Sequence, residues 1–328
     1  MKKIILAGAS IAALTMAAPA MAQSSSTVTQ TGSGNTATVN QANSNTSTVT
    51  QDSDNNTADI TQTVGTGNTS DVTQDGEGSG TALVDQAGTN STSTITQTGT
   101  SNSDFAVVFQ APDADANTAT ITQNGNGGGP SANFALVDQS GGASNSATIT
   151  DSGISNVAEI IQIGAGNTGD TSVGGDTNQV YVNQVGDGNT SIAVVGSDPA
   201  STGNVANIAM NANNGFSGVF QEGSGNTASL TQSADGNESS IDQGFFGGSS
   251  GNIATVGQTG VGNLSFVNQG FSAASTGNTA TVAQSGAGNL SAVTQDGDAN
   301  IATVTQATDA NISFVTQNGT GNTATVNQ

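Results

Sequence analysis

A seven-residue unit that begins with Asn and ends with Gln recurs through most of the sequence, and this repeat restricts the fold more than any other feature. Near the C-terminus, Asn300, Asn311 and Asn322 are each eleven residues apart. The fifth residue of the unit is usually Val, Ile or Leu, and short Gly-rich spacers separate the units. Counted back from Gln328, 26 units cover residues 24–328. Such a chain repeats one short element many times and does not build a varied globular core.

The third residue of the unit alternates between Ala and Ser, as at Ala302, Ser313 and Ala324. The true repeat is therefore a pair of units of about 22 residues, and the sequence contains 13 such pairs. Longer insertions precede only units of the Ala type, for example those that begin at Asn204 and Asn252. This distribution is expected of a two-sided coil in which one edge tolerates insertions.

Alternation within the unit predicts that each unit is a strand. Side chains one, three, five and seven of a strand share a face, so the Asn, Ala or Ser, Val and Gln of each unit point inward. The acids agree, because only Asp104 and Asp151 of the 24 fall at inward positions and an unpaired buried carboxylate is costly. The Gly-rich spacers supply turns. We predict an all-β fold, a β-solenoid of about 13 two-stranded rungs over residues 23–328.

The inward Asn and Gln side chains are the candidate functional residues. Rungs of a solenoid lie about 4.8 Å apart, so identical amides, which carry both donors and an acceptor, can hydrogen-bond as ladders along the axis. Open strand edges invite pairing with another chain, and we expect no cap after the last unit. The predicted ladder consists of Asn35, Gln41, Asn252, Gln258, Asn263, Gln269, Asn278, Gln284, Asn289, Gln295, Asn300, Gln306, Asn311, Gln317, Asn322 and Gln328.

Residues 1–22 have the pattern of a secretory signal peptide. Lys2 and Lys3 precede an apolar run over residues 4–18, and small residues at Ala20 and Ala22 suit cleavage before Gln23. No later stretch reaches the roughly 18 apolar residues that a membrane helix needs. We therefore predict a secreted protein without membrane insertion.

The composition excludes several classes of function. The sequence has no His and no Cys, so it lacks an imidazole base and a thiol nucleophile. Its formal net charge is −22, and Lys2 and Lys3 are its only basic residues, which argues against nucleic acid as a partner. We predict that the protein is not an enzyme and has no catalytic residue, cofactor or metal site. Weak calcium binding at acidic turns, such as that of Asp52 and Asp54, is left open.

The paired units, Ser/Asn-x-hydrophobic-x-Val/Ile-x-Gln joined by x-Gly-x-Gly-Asn turns such as residues 318–322, resemble the repeats of the curlin family, the subunits of bacterial curli fibres. The resemblance covers nearly all of residues 24–328. It implies a functional amyloid that is secreted through an outer-membrane pore, is seeded by a minor nucleator subunit and polymerises at the bacterial cell surface. It also implies a role in biofilm matrix and cell adhesion. This sequence has more repeats and fewer aromatic residues than the familiar pattern.

Two other functions fit a repetitive secreted β-solenoid. One is a monomeric adhesin with a rigid stalk. The other is an ice-binding protein, since Thr-x-Thr pairs such as Thr279 and Thr281 would project from a strand at regular spacing. Ice binding needs a flat, uniform Thr face, and the outward residues Phe105, Phe134 and Phe266 interrupt the Thr columns. The sequence therefore favours a fibre subunit.

Overall fold

The computed structural model of the protein is built entirely from strands and turns in the parts of the chain that it describes. These parts are residues 23–76, 78–99, 103–125, 132–244, 248–270 and 275–328. They contain 26 strands in two parallel sheets of 13 strands each. Successive strands alternate between the sheets, so each pair of strands completes one rung of a solenoid. The predicted β-solenoid is confirmed, whereas the predicted signal peptide lies outside the described residues.

The strands of the two sheets are named by their order in the chain. The odd sheet contains β1 (Ser25–Thr31), β3 (Thr46–Asp52), β5 (Thr69–Gly76), β7 (Thr92–Gly99), β9 (Thr118–Gly125), β11 (Ser146–Ser152), β13 (Thr168–Val173), β15 (Thr190–Val195), β17 (Phe216–Gln221), β19 (Glu238–Gln243), β21 (Leu264–Gln269), β23 (Leu290–Asp296) and β25 (Ile312–Asn318). The even sheet contains β2 (Thr36–Gln41), β4 (Thr57–Gln62), β6 (Thr81–Gln86), β8 (Phe105–Gln110), β10 (Phe134–Gln139), β12 (Val157–Ile163), β14 (Gln179–Val185), β16 (Val205–Asn211), β18 (Thr227–Gln232), β20 (Ile253–Gln258), β22 (Thr279–Gln284), β24 (Ile301–Gln306) and β26 (Thr323–Asn327). Within the described ranges no helix is long and apolar enough to cross a membrane.

Neighbouring strands of each sheet pair in register, so that every position of the unit forms a column along the axis. Val49 pairs with Val72, and Gln51 pairs with Gln74. Between β22 and β24, Ala280 likewise pairs with Ala302. Because the side-chain period of a strand is two, a slip by one residue would turn the apolar columns outward. The repeat itself therefore fixes the register.

The core is a narrow seam between the two sheets. It is formed by the inward columns of Val, Ile and Leu together with the Ala of the even sheet, and residues such as Ile60, Ala106 and Val304 have no exposed surface. In the outermost rungs the same columns are only partly covered, as at Val39 and Val326. The apolar seam therefore reaches solvent at both ends of the solenoid.

The turns need residues that tolerate a left-handed backbone. At Gly65, φ is +76°, and a Cβ atom there would stand 1.8 Å from the carbonyl oxygen of Gly88 in the turn of the next rung. A side chain is excluded at this position by both conformation and space. The Gly-rich spacers thus allow consecutive turns to stack as closely as the strands do.

The insertions lie on one edge of the solenoid, between an odd strand and the even strand that follows it. On this edge a column of single parallel bridges links Asp176, Thr202, Ser224, Ser250 and Thr276 from rung to rung. After the insertions that precede Asn204, Asn252 and Asn278, the chain therefore returns to the same place before it enters the even sheet.

Candidate functional site

The inward Gln side chains form ladders along both sheets on either side of the middle of the solenoid. In each ladder the Nε2 of one Gln donates to the Oε1 of the Gln in the next rung toward the C-terminus. Gln284 donates to Gln306 across 2.8 Å, and Gln306 donates to Gln328 across 3.1 Å. Gln306 also donates to the backbone oxygen of Leu290, 3.0 Å away in the other sheet. Each buried amide therefore joins consecutive rungs and also joins the two sheets.

The inward Asn side chains bond in a different way. The Oδ1 of Asn278 accepts a hydrogen bond from the backbone N–H of Asn300 at 2.8 Å, and its Nδ2 donates to the backbone oxygen of Gly297 at 2.7 Å. The expected amide-to-amide ladder thus describes Gln well, whereas most Asn amides bond to the backbone. The reason is that Asn is one methylene shorter and stands where a turn enters a strand, beside backbone groups that need partners.

The burial of the predicted ladder residues depends on their distance from the ends of the solenoid. Those of the interior rungs and Gln317 are buried. Asn35, Gln41 and Asn311 are half-buried, and Asn322 and Gln328 are exposed. The same bonds continue through rungs that the predicted set leaves out, where Gln51 donates to Gln74 across 2.8 Å. The seventh position of each unit already marked these residues in the sequence.

The Gln ladders are interrupted in the middle of the solenoid. The odd sheet carries Asp151, Val173 and Val195 at the seventh position, and the even sheet carries Met210. All four side chains are buried. From β11 to β17, therefore, the odd sheet lacks the amide ladder that connects its other rungs.

Asp151 and Asp104 are both buried, which confirms their predicted inward positions. The Oδ1 of Asp104 accepts the backbone N–H of Asn133 at 3.0 Å, so Asp104 takes the place of the usual Asn. Asn156 donates to the Oδ1 of Asp151 at 3.2 Å. Burial, together with the smaller effect of the nearby Asp104 charge, raises the pKa of Asp151 to about 7, although hydrogen bonds from Asn156 and Gln123 oppose the rise. Among the described carboxyl groups, Asp151 is thus the one whose charged form the fold destabilises most.

The direction of the ladders makes the two ends chemically different. At the C-terminal end, the Nε2 of Gln317 donates to the backbone oxygen of Ile301 at 2.9 Å and that of Gln328 to the backbone oxygen of Ile312 at 3.3 Å. In the described residues neither Nε2 donates to a further Gln. At the N-terminal end, no donor in the described residues reaches the Oε1 of Gln30 or Gln41, although both side chains donate to the second rung. One end therefore offers amide donors and the other offers amide acceptors.

From Val28 and Val315 onward, the first and last rungs also match in sequence, whereas Ser25 and Thr27 stand against Ile312 and Phe314. Residues 28–41 and 315–328 differ only where Thr31 stands against Asn318 and Ser33 stands against Thr320. The repeat period does not reveal this match, since it relates each unit only to its neighbours along the chain. A direct comparison of the two ends of the repeat region reveals it.

The acidic turns do not gather into a metal site in the part of the chain that the structure describes, where no group of three or more acids could hold a metal ion. The ladders and the two matched end rungs are therefore the features with the clearest capacity for interaction. They can bond to a further rung of the same kind.

Comparison with known proteins agrees with this description. The family model described as the curlin associated repeat matches residues 42–76, 88–125, 218–244 and 276–307. No curated protein matches the chain. The matched segments contain the same Asn-to-Gln units that build the odd and even sheets. These four segments of the chain are therefore curlin associated repeats.

Proposed function

We propose that this protein is a secreted structural subunit that polymerises end to end into curli-type extracellular fibres. The curlin family is structural and not enzymatic, its members are extracellular curli subunits, and the repeats support a structural subunit here. The observation that carries the proposal is the near identity of residues 28–41 and 315–328, which form most of the first and last rungs.

Stacking the first rung of one copy on the last rung of another places like residues over one another. Ala37 then lies over Ala324, Val39 over Val326, and Gln41 over Gln328. These are the contacts that β2 makes with β4 and that β24 makes with β26 inside one molecule. The half-buried apolar residues of both end rungs would become as covered as those of the interior, which favours association.

The ladders assign a polarity to this contact. In the head-to-tail arrangement, the Nε2 groups of Gln317 and Gln328 donate to the Oε1 groups of Gln30 and Gln41 in the next copy. The Oδ1 of Asn322 is likewise placed to accept the backbone N–H of Asn35 in that copy, as Asn300 accepts from Asn322 within the molecule at 3.0 Å. An arrangement in which the last rungs of two copies meet would set donors against donors. Each added copy would extend the fibre by its 13 rungs, about 60 Å.

The remaining parts of the proposal rest on the family resemblance. The subunit would leave the bacterium through an outer-membrane secretion pore and would be seeded by a minor nucleator subunit. The fibres would remain at the cell surface, where they contribute to biofilm matrix and adhesion. Homopolymerisation is the step that the end rungs support directly.

The test is X-ray fibre diffraction on residues 23–328, diluted from denaturant and left without stirring. We expect reflections near 4.7 Å along the fibre and about 10 Å across it, from strand and sheet spacings. A protein that stays monomeric and rich in β-structure under these conditions would overturn the fibre function and leave the monomeric adhesin as the better candidate.

A further inference from the structure

The outer surface of the odd sheet is almost entirely threonine in the N-terminal half of the solenoid. In β3, β7 and β9, Thr occupies the second, fourth and sixth positions of the unit, which point outward. In β5 it occupies the second and sixth positions, and Asp71 stands at the fourth. The flanking strands β1 and β11 present only Ser and Thr at these positions. We call this surface the threonine face.

The threonine face has a regular spacing in two directions. In-register pairing sets Thr50 over Thr73, and Thr96 over Thr122. Parallel strands lie about 4.8 Å apart, and outward residues two positions apart on one strand are separated by about 6.6 Å. The hydroxyl and methyl groups therefore stand on a two-dimensional lattice.

The fold holds this lattice in place. The amides of Gln74 and Gln97 beneath it are hydrogen-bonded at 2.8 Å, which fixes the stacking of the rungs. Threonine is β-branched, so its χ1 angle is restricted by the strand. In the described residues, the hydroxyls of Thr94 and Thr120 make no hydrogen bond to the protein, and both side chains are only half-buried. An ordered set of hydroxyls is thus available to water.

The apolar residues that interrupt the Thr columns lie elsewhere. Phe105 and Phe134 belong to β8 and β10 of the even sheet, where their rings stack with centroids 5.7 Å apart. Phe266 and Phe314 belong to the odd sheet, but in β21 and β25 near the opposite end. The alternation of Ala-type and Ser-type units already predicts that these two sets of residues lie on opposite faces of the solenoid. Within β1–β11 of the odd sheet, Asp71 is the single break in the Ser and Thr pattern.

The chemistry of the face fits a crystalline partner better than a folded protein. Protein interfaces depend on a central cluster of large apolar or Arg side chains, and the threonine face has none. Its two repeat distances are comparable with the spacing of oxygen atoms on the surface of hexagonal ice. Hydroxyls can hydrogen-bond to water at lattice positions, while the methyl groups between them limit the other orientations of that water.

We propose that the threonine face binds ice. Binding would require only the folded solenoid, so this function does not depend on polymerisation. If copies join end to end, the face would recur once in each copy, and many weak contacts to one crystal would act together.

Two double variants test the proposal. Thr94→Leu with Thr96→Leu changes the centre of the threonine face, and Thr279→Leu with Thr281→Leu makes the same change on β22 of the even sheet. Outward Leu is already present at Leu83 of β6, so the strands accommodate it. Each full-length protein is kept monomeric, checked for its β-sheet signal, and assayed for incorporation into a growing ice crystal and for inhibition of ice recrystallisation.

We expect wild type to enter the ice and inhibit recrystallisation. The β7 variant should need a concentration about tenfold higher or more for the same inhibition, whereas the β22 variant should behave as wild type. Asp71→Thr completes the lattice and should strengthen inhibition. Exclusion of the wild-type protein from ice, an equal loss in both double variants, or no gain from Asp71→Thr would overturn the proposal.

Discussion

Gln284 donates its Nε2 hydrogen to the Oε1 of Gln306 across 2.8 Å, and neither side chain is reached by solvent beyond 1% of its surface. Because water cannot replace a lost partner there, Gln306→Ala leaves the Nε2 of buried Gln284 without its Gln acceptor. We expect it to lower the free energy of unfolding by about 1–3 kcal/mol and to slow fibre elongation. Denaturant unfolding and seeded growth measure the two effects.

The matched control is Thr305→Ala on the same strand. Thr305 points outward and is half-buried, so its hydroxyl can exchange partners with water. Its loss should have less than half the effect of Gln306→Ala on both measurements. Equal effects of the two variants would contradict the role of the inward amides.

Much of this arrangement could be predicted from the sequence, because the period of two and the position of the acids together determine which face of each unit is buried. The same reasoning predicts Asp104 and Asp151 as the inward acids, and both are buried. The direction of the Gln ladder could not be predicted, since an amide column is equally regular with its donors pointing either way. The backbone partners of Asn278 could not be predicted either, because they depend on the path of the neighbouring turn.

Asp151 gives the solenoid a dependence on pH. Its pKa is raised to about 7, chiefly by burial, so the folded state binds the proton more tightly than the unfolded chain does. The stability linked to this proton is complete at acidic pH, below the ordinary pKa of Asp, and is lost as the pH rises through about 7. We expect Asp151→Asn to stabilise the fold more near pH 8 than near pH 4, by up to about 4 kcal/mol.

Denaturant midpoints of wild type and Asp151→Asn at the two pH values provide the measurement. Asp52→Asn removes the same charge from an exposed position on β3 and serves as the control. The prediction fails if Asp52→Asn reproduces the pH-dependent gain, since the effect would then come from net charge and not from the buried carboxyl.

Assembly should also be faster in acid. The sequence has 24 acidic residues, and copies that stack along one axis repel through these charges, which acid removes by protonating carboxylates. The pKa of Asp242 is raised to about 6 by burial and by the charge of Glu222. As the pH falls, this carboxylate therefore already begins to lose its charge near pH 6. We expect shorter lag times near pH 4 than near pH 8. Added salt near pH 8 should shorten the lag too, because it screens exposed charges. Lag times that depend on neither pH nor salt would exclude this repulsion.

A single charge in the last rung should stop growth at one end of the fibre. Val326 is half-buried in β26 and is the residue that Val39 of the next copy would cover. Val326→Asp keeps the first rung intact, so the variant can add to the C-terminal end of a fibre, where its own last rung then accepts no further copy because a buried carboxylate is costly. A small fraction of this variant should therefore halt elongation of wild-type seeds at that end, which end-labelled fibres reveal under the microscope. Thr325→Asp places the same charge on the outward side of the strand and should slow growth only slightly. If the two variants inhibit equally, or if Val326→Asp stops both ends alike, the head-to-tail contact between the first and last rungs is not the site of growth.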